Sequence, residues 1–379
     1  MSSRPPKVPF VNLSLQHQPI HPQIVAEIGK IIEQGDFILG QALAEFETAF
    51  AAASGVKYGV GVACGTDAIA LGLQACGINP GDEIIVPANT FIATIIAVIQ
   101  AKAIPILVDC DPETALIDLT AAETAITSKT KAIIPVHLYG QMVSPSQLLY
   151  FANRHNLIIF EDAAQAHLAE REGYRAGSIG QAAAFSFYPS KNLGCFGDGG
   201  MLITNDAELA KKMRTLRNYG APSKYLHTEI GTNSRLDNLQ AAVLNIKLPY
   251  LEKWNRDRNL AAQHYNTLLE PLKHKGIVPI ANHSSLGHIY HIYAIKITEK
   301  SPIDRHTLQQ KLAQEGIETG IHYPVPCHLQ PAYQNLGNPG DFPHAETLCQ
   351  QILSLPMYPG LSNTQIEQVV RAIGRSLNC

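Results

Sequence analysis

The chain is organised around Phe185-Ser186-Phe187-Tyr188-Pro189-Ser190-Lys191-Asn192-Leu193-Gly194. The apolar run 182–187 predicts a short buried strand, and the proline and glycine that follow predict a turn. Lys191 therefore lies on a turn at a strand end, next to packed and partly dry surroundings. Desolvation lowers the pKa of a lysine and frees its amine as a nucleophile that forms a Schiff base with a carbonyl. The alternative is an ordinary exposed lysine in a loop.

A second stretch, Leu157-Ile158-Ile159-Phe160-Glu161-Asp162-Ala163-Ala164-Gln165-Ala166-His167, is an apolar run that ends in an acid. Asp162 is thus predicted at the tip of a buried strand, where acids in α/β proteins point into the ligand crevice. A carboxylate at this place is suited to hold the protonated pyridine nitrogen of pyridoxal phosphate. Taken alone, Asp162 is equally well explained as a helix N-cap. The combination of Asp162 and Lys191, each at its own strand end, is much more specific.

Four motifs closely resemble the nucleotide-sugar aminotransferases of the DegT/StrS type. They are EDAAQAH (161–167), FSFYPSKNLG (185–194), GDGG (197–200) and NSRLDNLQAA (233–242). The resemblance runs from about Phe10 to Ile373. It implies a pyridoxal 5'-phosphate enzyme with the aspartate aminotransferase fold, which is fold type I. This fold has a large domain, with a mainly parallel mixed sheet flanked by helices, and a smaller α+β C-terminal domain.

Composition sets the broad class of the protein. The chain has 379 residues, 46% hydrophobic and 16% charged residues and a net charge of −3, which suits two soluble domains without nucleic-acid or anionic-membrane binding. No apolar run approaches the roughly 18–20 residues of a membrane span, and the N-terminus lacks the apolar core of a signal peptide. We therefore expect a cytoplasmic protein. Seven cysteines, without a C-x-x-C pair, argue against a disulfide framework and a zinc site.

Strands and helices alternate through the first part of the chain, which is typical of a mainly parallel α/β sheet. We expect an extended arm over residues 1–14 and a long helical region over residues 238–272 that leads into the second domain. The predicted boundaries are 1–250 for the large cofactor-binding domain with the arm, and 251–379 for the small domain. The predicted strands of the sheet are Tyr58–Val62, Glu83–Pro87, Ile104–Asp109, Ala132–Val136, Leu157–Glu161, Ala182–Phe187 and Met201–Thr204.

The turn after the first strand contains Cys64-Gly65-Thr66-Asp67 and opens a helix. A helix N-terminus presents free N–H groups and the positive end of the helix dipole, so it suits an anion. The alternative is a simple helix start capped by Thr66 or Asp67. The resemblance implies that Gly65 and Thr66 bind the cofactor phosphate and that the Ser186 hydroxyl contacts it. Relatives usually carry Asn or Ser in place of Cys64, a departure that matters little where backbone groups bind.

The resemblance assigns three further residues near the cofactor. Phe91 matches the aromatic residue that stacks on the pyridine ring, although an aromatic at a strand end is more often part of the core. Gln165, three residues after Asp162, matches a contact to the pyridoxal hydroxyl. His167 matches less well because Leu168 follows where relatives commonly have Gly, and a structural role for this histidine is the alternative.

The resemblance also predicts a homodimer with shared active sites. Asn233 matches a residue that reaches the phosphate of the neighbouring subunit's cofactor, and Arg235 then lies near the sugar or its phosphates. For Arg235 alone, a surface salt bridge is the alternative. The other positions matched to the nucleotide-sugar site are Gly35, Phe37, Ser190, His322 and Tyr323.

The implied reaction is a ping-pong transfer of an amino group from glutamate to a nucleotide-linked keto sugar. Lys191 moves the proton and Asp162 keeps the ring nitrogen protonated. NSRLD, together with Trp254, Asn255 and Arg258, most resembles enzymes for 3-keto hexoses linked to dTDP or UDP. The alternatives are a 4-keto-sugar aminotransferase and a non-catalytic regulatory protein on the same fold. A dehydratase is disfavoured because such relatives replace the lysine with histidine.

Overall fold

The structure is a computed structural model and describes residues 8–377. The strands are β1 Tyr58–Val62, β2 Glu83–Pro87, β3 Ile104–Val108, β4 Thr130–Ile133, β5 Ile158–Asp162, β6 Glu170–Arg171, β7 Tyr174–Arg175, β8 Ala182–Ser186, β9 Gly200–Thr204, β10 Ile277–Pro279, β11 Tyr293–Ile297 and β12 Ile352–Leu355. The α-helices are α1 Ser14–His17, α2 His21–Gln34, α3 Gln41–Ala53, α4 Gly65–Ala75, α5 Ile92–Gln100, α6 Leu119–Thr124, α7 Pro145–His155, α8 Ala207–Leu216, α9 Asn238–Lys247, α10 Leu251–Leu269, α11 Arg305–Gln314, α12 Pro343–Gln351 and α13 Asn363–Ser376.

Seven strands form the large sheet in the order β1-β9-β8-β5-β4-β2-β3. Strand β9 pairs antiparallel with both of its neighbours, and the remaining ladders are parallel. The predicted mainly parallel mixed sheet flanked by helices is therefore confirmed. Because six strands run in one direction, their carboxyl ends share one edge, which is where α/β proteins bind ligands.

The long helical region predicted over residues 238–272 is interrupted. Helix α9 ends at Lys247, a 3₁₀ turn spans Leu248–Tyr250, and α10 begins at Leu251. Pro249 lies in this turn, and a proline has no N–H for the helical ladder. The prediction of one continuous helix is wrong for this reason. The two helices are joined by this 3₁₀ turn without a loop.

The C-terminal part carries a second sheet, β10-β11-β12, with its own apolar core. Val8 belongs to this core and pairs with Ile317, so the described end of the N-terminal arm packs on the C-terminal part. Conversely, Ile289 and Ile292 belong to the core of the large sheet. The predicted boundary near residue 250 stays a prediction. Residues 1–7 of the predicted arm and Cys379 lie outside the described residues.

Two glycines bring the start of α4 against the carboxyl edge of the sheet. A Cβ on Gly65 would lie 2.8 Å from the Cβ of Ser186, and one on Gly200 would lie 2.3 Å from the carbonyl carbon of Cys64. Both distances are shorter than side chains tolerate. The first turn of α4 therefore sits directly on the ends of β8 and β9.

Three further observations apply to residues 8–377. None of the helices in this range combines the length and the apolar character needed to cross a bilayer. The range also holds no group of three or more His, Cys, Asp or Glu side chains arranged to bind a metal ion. Its six cysteines are free thiols.

Candidate active site

A cavity of about 400 Å³ opens at the carboxyl edge of the large sheet. This volume falls within the roughly 300–1,000 Å³ usual for small-molecule sites. It brings together most of the residues predicted from sequence to form the site. They are Gly65, Thr66, Phe91, Asp162, Gln165, Ser186, Ser190, Lys191, His322 and Tyr323.

Asp162 is the last residue of β5 and is only 6% exposed. Its Oδ2 accepts a hydrogen bond from the Thr94 hydroxyl at 2.7 Å, and its Oδ1 accepts one from the Ala164 N–H at 3.1 Å. Burial raises the pKa of this carboxyl group, while these hydrogen bonds and the nearby Lys191 oppose the rise. The helix-cap alternative does not apply, because the residues after Asp162 form a turn and not a helix. Asp162 is thus a buried carboxylate that gains stability from a cationic partner.

The preceding residue, Glu161, faces away from the cavity and fixes this strand end. Its carboxylate accepts hydrogen bonds from the N–H groups of Gly177, Ile179 and Gly180 and contacts His137 Nε2 at 2.9 Å. Val143 N–H donates to His137 Nδ1, so His137 Nε2 carries the hydrogen and donates to Glu161. Because side chains alternate along a strand, a fixed Glu161 also fixes the direction of Asp162.

Lys191 lies five residues after the end of β8, on a turn closed by its N–H and the Tyr188 carbonyl. Its side chain borders the cavity, and its Nζ has no hydrogen-bond partner among residues 8–377. Burial lowers the pKa of Lys191 to about 8, and the negative charge of Asp162 opposes this shift. The site therefore keeps much of this amine neutral and nucleophilic near pH 8.

The N-terminus of α4 borders the same cavity. The N-cap is Cys64, whose Sγ accepts from the Asp67 N–H at 3.5 Å, so neither Thr66 nor Asp67 caps the helix. The first N–H groups of a helix have no partner within the helix and attract an anion. The Ser186 hydroxyl accepts from Tyr188 N–H, which leaves its hydrogen able to donate. This end of the cavity is suited to a phosphate.

The opposite wall is built from aromatic and amide side chains. The rings of Phe91 and Tyr323 are 5.3 Å apart, and Phe91 is 51% exposed, so it is not a core residue. Gln165 Nε2 donates to the Tyr323 hydroxyl at 3.0 Å, and Gln165 Oε1 accepts from Tyr139 N–H at 2.7 Å. His322 Nδ1 contacts the Ser354 hydroxyl at 2.9 Å, which fixes its ring beside Tyr323.

His167 has a structural environment. It is fully buried among Phe50, Phe185 and Phe187, and its Nε2 lies 2.9 Å from the Ser186 carbonyl oxygen. A carbonyl only accepts, so Nε2 carries the hydrogen. Burial lowers the pKa of His167 to about 3 and keeps it neutral. Its hydrogen bond to the Ser186 carbonyl supports the backbone at that residue. This is the structural role given above as the alternative for His167.

Four predicted residues do not line this cavity. Asn233 and Phe37 are exposed, and Arg235 donates to Asn218 Oδ1 at 3.2 Å and covers the Tyr219 ring. The loop 35–38 is tied to the same region, because Asn238 N–H donates to the Phe37 carbonyl. Gly35, Phe37, Asn233 and Arg235 thus lie outside the cavity lining, on two segments that meet where the loop 35–38 contacts the start of α9; we call this the separate surface.

Sequence reasoning missed several residues that shape the cavity. Thr94 holds Asp162 from α5, and Asn192 and His291 form a pair beside Lys191. Thr94 lies in an apolar helix and His291 precedes a strand far along the chain, so no local pattern marks either residue. Asn192 was visible within the quoted motif, but only its three-dimensional partners show its role.

Comparison with known proteins places this geometry in context. The model of the DegT/DnrJ/EryC1/StrS aminotransferase family matches residues 18–374. A "Pleiotropic regulatory protein" of Geobacillus stearothermophilus is 44% identical over 97% of each chain. The dTDP-3-amino-3,4,6-trideoxy-alpha-D-glucose transaminase of Streptomyces venezuelae is also 44% identical, over 98% of this chain and 97% of its own. The solved structure of S. venezuelae DesV in complex with a ketimine intermediate is 42% identical, with a TM-score of 0.94, over 99% of this chain and 100% of that one.

We predict that the Lys191 amine of the cofactor-free protein titrates near pH 8. Burial lowers its pKa, so the reactive neutral form is present above about pH 8 and is lost as the pH falls through that value. The measurement is the rate of trinitrophenylation of Lys191 against pH, read by peptide mapping, with a lysine model peptide as reference. Asp162→Asn removes the charge that opposes the shift and moves the midpoint lower still. A midpoint at the ordinary lysine value of about 10.4 contradicts the burial argument.

Proposed function

The chain belongs to the DegT/DnrJ/EryC1/StrS aminotransferase family, and we propose that it transfers the amino group of glutamate to a keto sugar linked to dTDP or UDP. The family consists of pyridoxal-phosphate-dependent enzymes. A 3-keto hexose is the proposed acceptor, in the biosynthesis of an amino sugar. The cytoplasmic location expected from the sequence stays a prediction.

One observation carries the proposal. The cavity places the buried carboxylate of Asp162 and the unpaired amine of Lys191 at one edge of the sheet, beside the N-terminus of α4. Asp162 lacks a cation among its hydrogen-bond partners, and Lys191 lacks any hydrogen-bond partner among residues 8–377. A buried carboxylate and an amine without a hydrogen-bond partner lower the stability of the fold unless a ligand supplies the missing partners. Their arrangement is that of a site built for a third component.

Pyridoxal 5'-phosphate fits the groups present. Its phosphate suits the N–H groups of Gly65 and Thr66 with the Ser186 hydroxyl, and its ring nitrogen suits Asp162. The aromatic face of Phe91 is available to its ring, and Gln165 retains an N–H for its hydroxyl group. The cofactor supplies an aldehyde that bonds covalently to a lysine amine and a pyridine ring that takes up an electron pair from the substrate carbon.

The residues of the chain have distinct roles in the transfer. Lys191 Nζ takes a proton from the amino-bearing carbon of the donor and later delivers one to the carbon of the acceptor. Asp162 stabilises positive charge at its end of the cavity, and Thr94 and Ala164 hold it in place. Ser190, His322 and Tyr323 also line the cavity and are the residues assigned to the sugar. The buried position of Asp162 limits water, which strengthens its attraction for a cation.

The choice of a 3-keto acceptor rests on the relatives. The S. venezuelae relative is named as a transaminase of a dTDP-linked 3-amino sugar. The G. stearothermophilus relative is named as a regulatory protein. A non-catalytic regulatory protein on the same fold is therefore the alternative. Against that alternative, Lys191, Asp162 and Gln165 all line one cavity in this chain. If the protein is an aminotransferase, the alternative acceptor is a 4-keto sugar.

The direct test incubates the cofactor-loaded protein with glutamate and a panel of dTDP- and UDP-linked 3-keto and 4-keto hexoses. We expect amination of a 3-keto sugar, identified by mass and NMR, with formation of 2-oxoglutarate. Asp162→Asn is the matched control, since an amide does not keep the ring nitrogen protonated, and most turnover should be lost with the fold retained. Amination at C4 alone refutes the C3 assignment, and no amination of any sugar refutes the proposed function.

The separate surface that holds Asn233 and Arg235 supports the proposed homodimer. Within residues 8–377, Lys191 is the only lysine or arginine that lines the cavity, so a diphosphate has no cation to meet there. Large apolar side chains are exposed around Asn233 and Arg235, which marks an interaction surface. They are Phe37, Ile38, Leu39, Tyr219, Tyr225, Leu226 and Ile230. A two-fold dimer would cover this surface and bring Asn233 and Arg235 of each subunit to the other's cavity.

Mixing inactive variants tests the shared site. Lys191→Ala and Asn233→Asp should each be inactive, but a mixed dimer holds one site with both lesions and one with neither, so activity should return. Mixing Lys191→Ala with Asp162→Asn is the control. Both of these residues belong to their own subunit's site, so no intact site forms. Exchange of subunits without recovery in the first mixture, or a fully active monomer, excludes the shared site.

A further inference from the structure

His291 is a partly buried histidine that the reaction described above does not use. It lies two residues before β11, in the C-terminal part of the chain, and its side chain lines the cavity with Lys191. Its Nδ1 lies 3.1 Å from Asn192 Oδ1, and Asn192 directly follows Lys191. The imidazole is thus placed beside the reacting amine.

The hydrogen bonds of Asn192 determine the tautomer of His291. Asn192 Nδ2 donates to Asn255 Oδ1 at 2.8 Å and to the Ile289 carbonyl at 3.1 Å, and both of these atoms are acceptors. Asn255 is itself oriented, because its Nδ2 donates to the His167 carbonyl at 2.9 Å. Asn192 therefore turns its oxygen to the imidazole, and an amide oxygen only accepts. The hydrogen of neutral His291 is on Nδ1.

The position of His291 is fixed from behind by Arg258, which is 2% exposed. Arg258 Nη1 donates to the carbonyl oxygens of Tyr290, His291 and Met357 at 3.1, 3.4 and 3.0 Å. Helix α10 thus holds both the backbone of His291, through Arg258, and its ring, through Asn255 and Asn192. Side chains in buried networks of this kind have one arrangement.

The other ring nitrogen is unused. His291 Nε2 has no hydrogen-bond partner among residues 8–377, and it is not enclosed by protein atoms, so it is accessible from the cavity. Burial and the positive charges of Lys191 and Arg258, with smaller contributions from His322 and His167, hold the pKa of His291 well below 6.5. Nε2 therefore carries a lone pair and no hydrogen.

We propose that His291 is a substrate-binding residue whose Nε2 accepts a hydrogen bond from a hydroxyl group of the keto sugar. The ligand must be a donor, because an unprotonated nitrogen repels a carboxylate or phosphate oxygen. Among donors, the ammonium group of glutamate is disfavoured by the positive charge of Arg258, which lies behind this ring. A neutral sugar hydroxyl donates to this nitrogen without that repulsion. This inference rests on the proposed function, since it assigns a residue to the sugar within that site.

Two variants of His291 distinguish a hydrogen bond to the sugar from a purely structural role of the ring. His291→Asn keeps an N–H that donates to Asn192 and removes the acceptor in the cavity. His291→Gln extends an amide oxygen to the place of Nε2 and loses the short donor to Asn192. The two half-reactions of the cofactor-loaded enzyme are measured separately, with glutamate and with the amino sugar nucleotide, by the change of cofactor absorbance. Thermal unfolding checks that both variants fold.

We expect His291→Asn to lower kcat/KM of the sugar half-reaction by about tenfold or more, the effect of losing one hydrogen bond to a buried group. The glutamate half-reaction should fall less, and His291→Gln should recover part of the sugar half-reaction. If only the glutamate half-reaction loses activity, the contact is with the ammonium group of glutamate, and the assignment to the sugar is overturned. Equal losses in both half-reactions, or wild-type kinetics in His291→Asn, also overturn it.

A measurement on the ring itself does not depend on turnover. In ¹⁵N-histidine-labelled protein in the pyridoxamine form, His291 should show a protonated Nδ1 and an unprotonated Nε2 at neutral pH. Addition of the sugar nucleotide should shift the Nε2 signal as it accepts a hydrogen bond. A cationic ring, or the opposite tautomer, contradicts the inference. If the wild-type protein aminates no sugar while this tautomer is observed, the proposed function has failed and the geometry of His291 stands.

Discussion

The structure depends on two charged groups, the buried Asp162 and the partly buried Lys191, that are kept apart. Asp162 ends β5, and Lys191 lies five residues after the end of the neighbouring strand β8. Burial acts on both, raising the pKa of the acid and lowering that of the amine to about 8. The charge of each group partly opposes the pKa shift of the other, but no hydrogen bond joins them. In a direct salt bridge, the carboxylate and the amine would bind each other and would not be available to a ligand. Their separation leaves the acid available to a cation and the amine available to a carbonyl, at a cost in stability that the rest of the fold must offset.

The fold sustains this separation through supports that come from several elements. Glu161 fixes the end of β5 from the far side, Thr94 holds Asp162 from α5, and Asn192 anchors the chain next to Lys191. The C-terminal part contributes His291 and Tyr323 to the same cavity. The site is therefore a product of the whole described chain, which agrees with a family match over residues 18–374. A site assembled in this way tolerates little movement of any one element.

Sequence reasoning predicted the centre of this site because its signals are local. Asp162 and Lys191 each follow an apolar run, and in a parallel sheet such ends share one edge. The supports were not predictable in the same way. His291 contacts Asn192 across 99 positions, and no periodic pattern marks that pairing. Pro249 did mark the break between α9 and α10, and the continuous helix was predicted in spite of it. Asn233 and Arg235 followed from the family resemblance alone, and both lie outside the cavity lining of the single chain.

Lys191 is proposed as the amine that bonds to the cofactor. The most direct measurement reduces the pyridoxal-phosphate-loaded protein with borohydride and locates the attached cofactor by peptide mapping. We expect a single adduct on Lys191 that is absent from Lys191→Ala. Lys247 is the informative comparison, because burial also lowers its pKa to about 8, yet it donates to the Gly194 carbonyl and does not line the cavity. An adduct on Lys247, or on any lysine other than Lys191, would contradict the account.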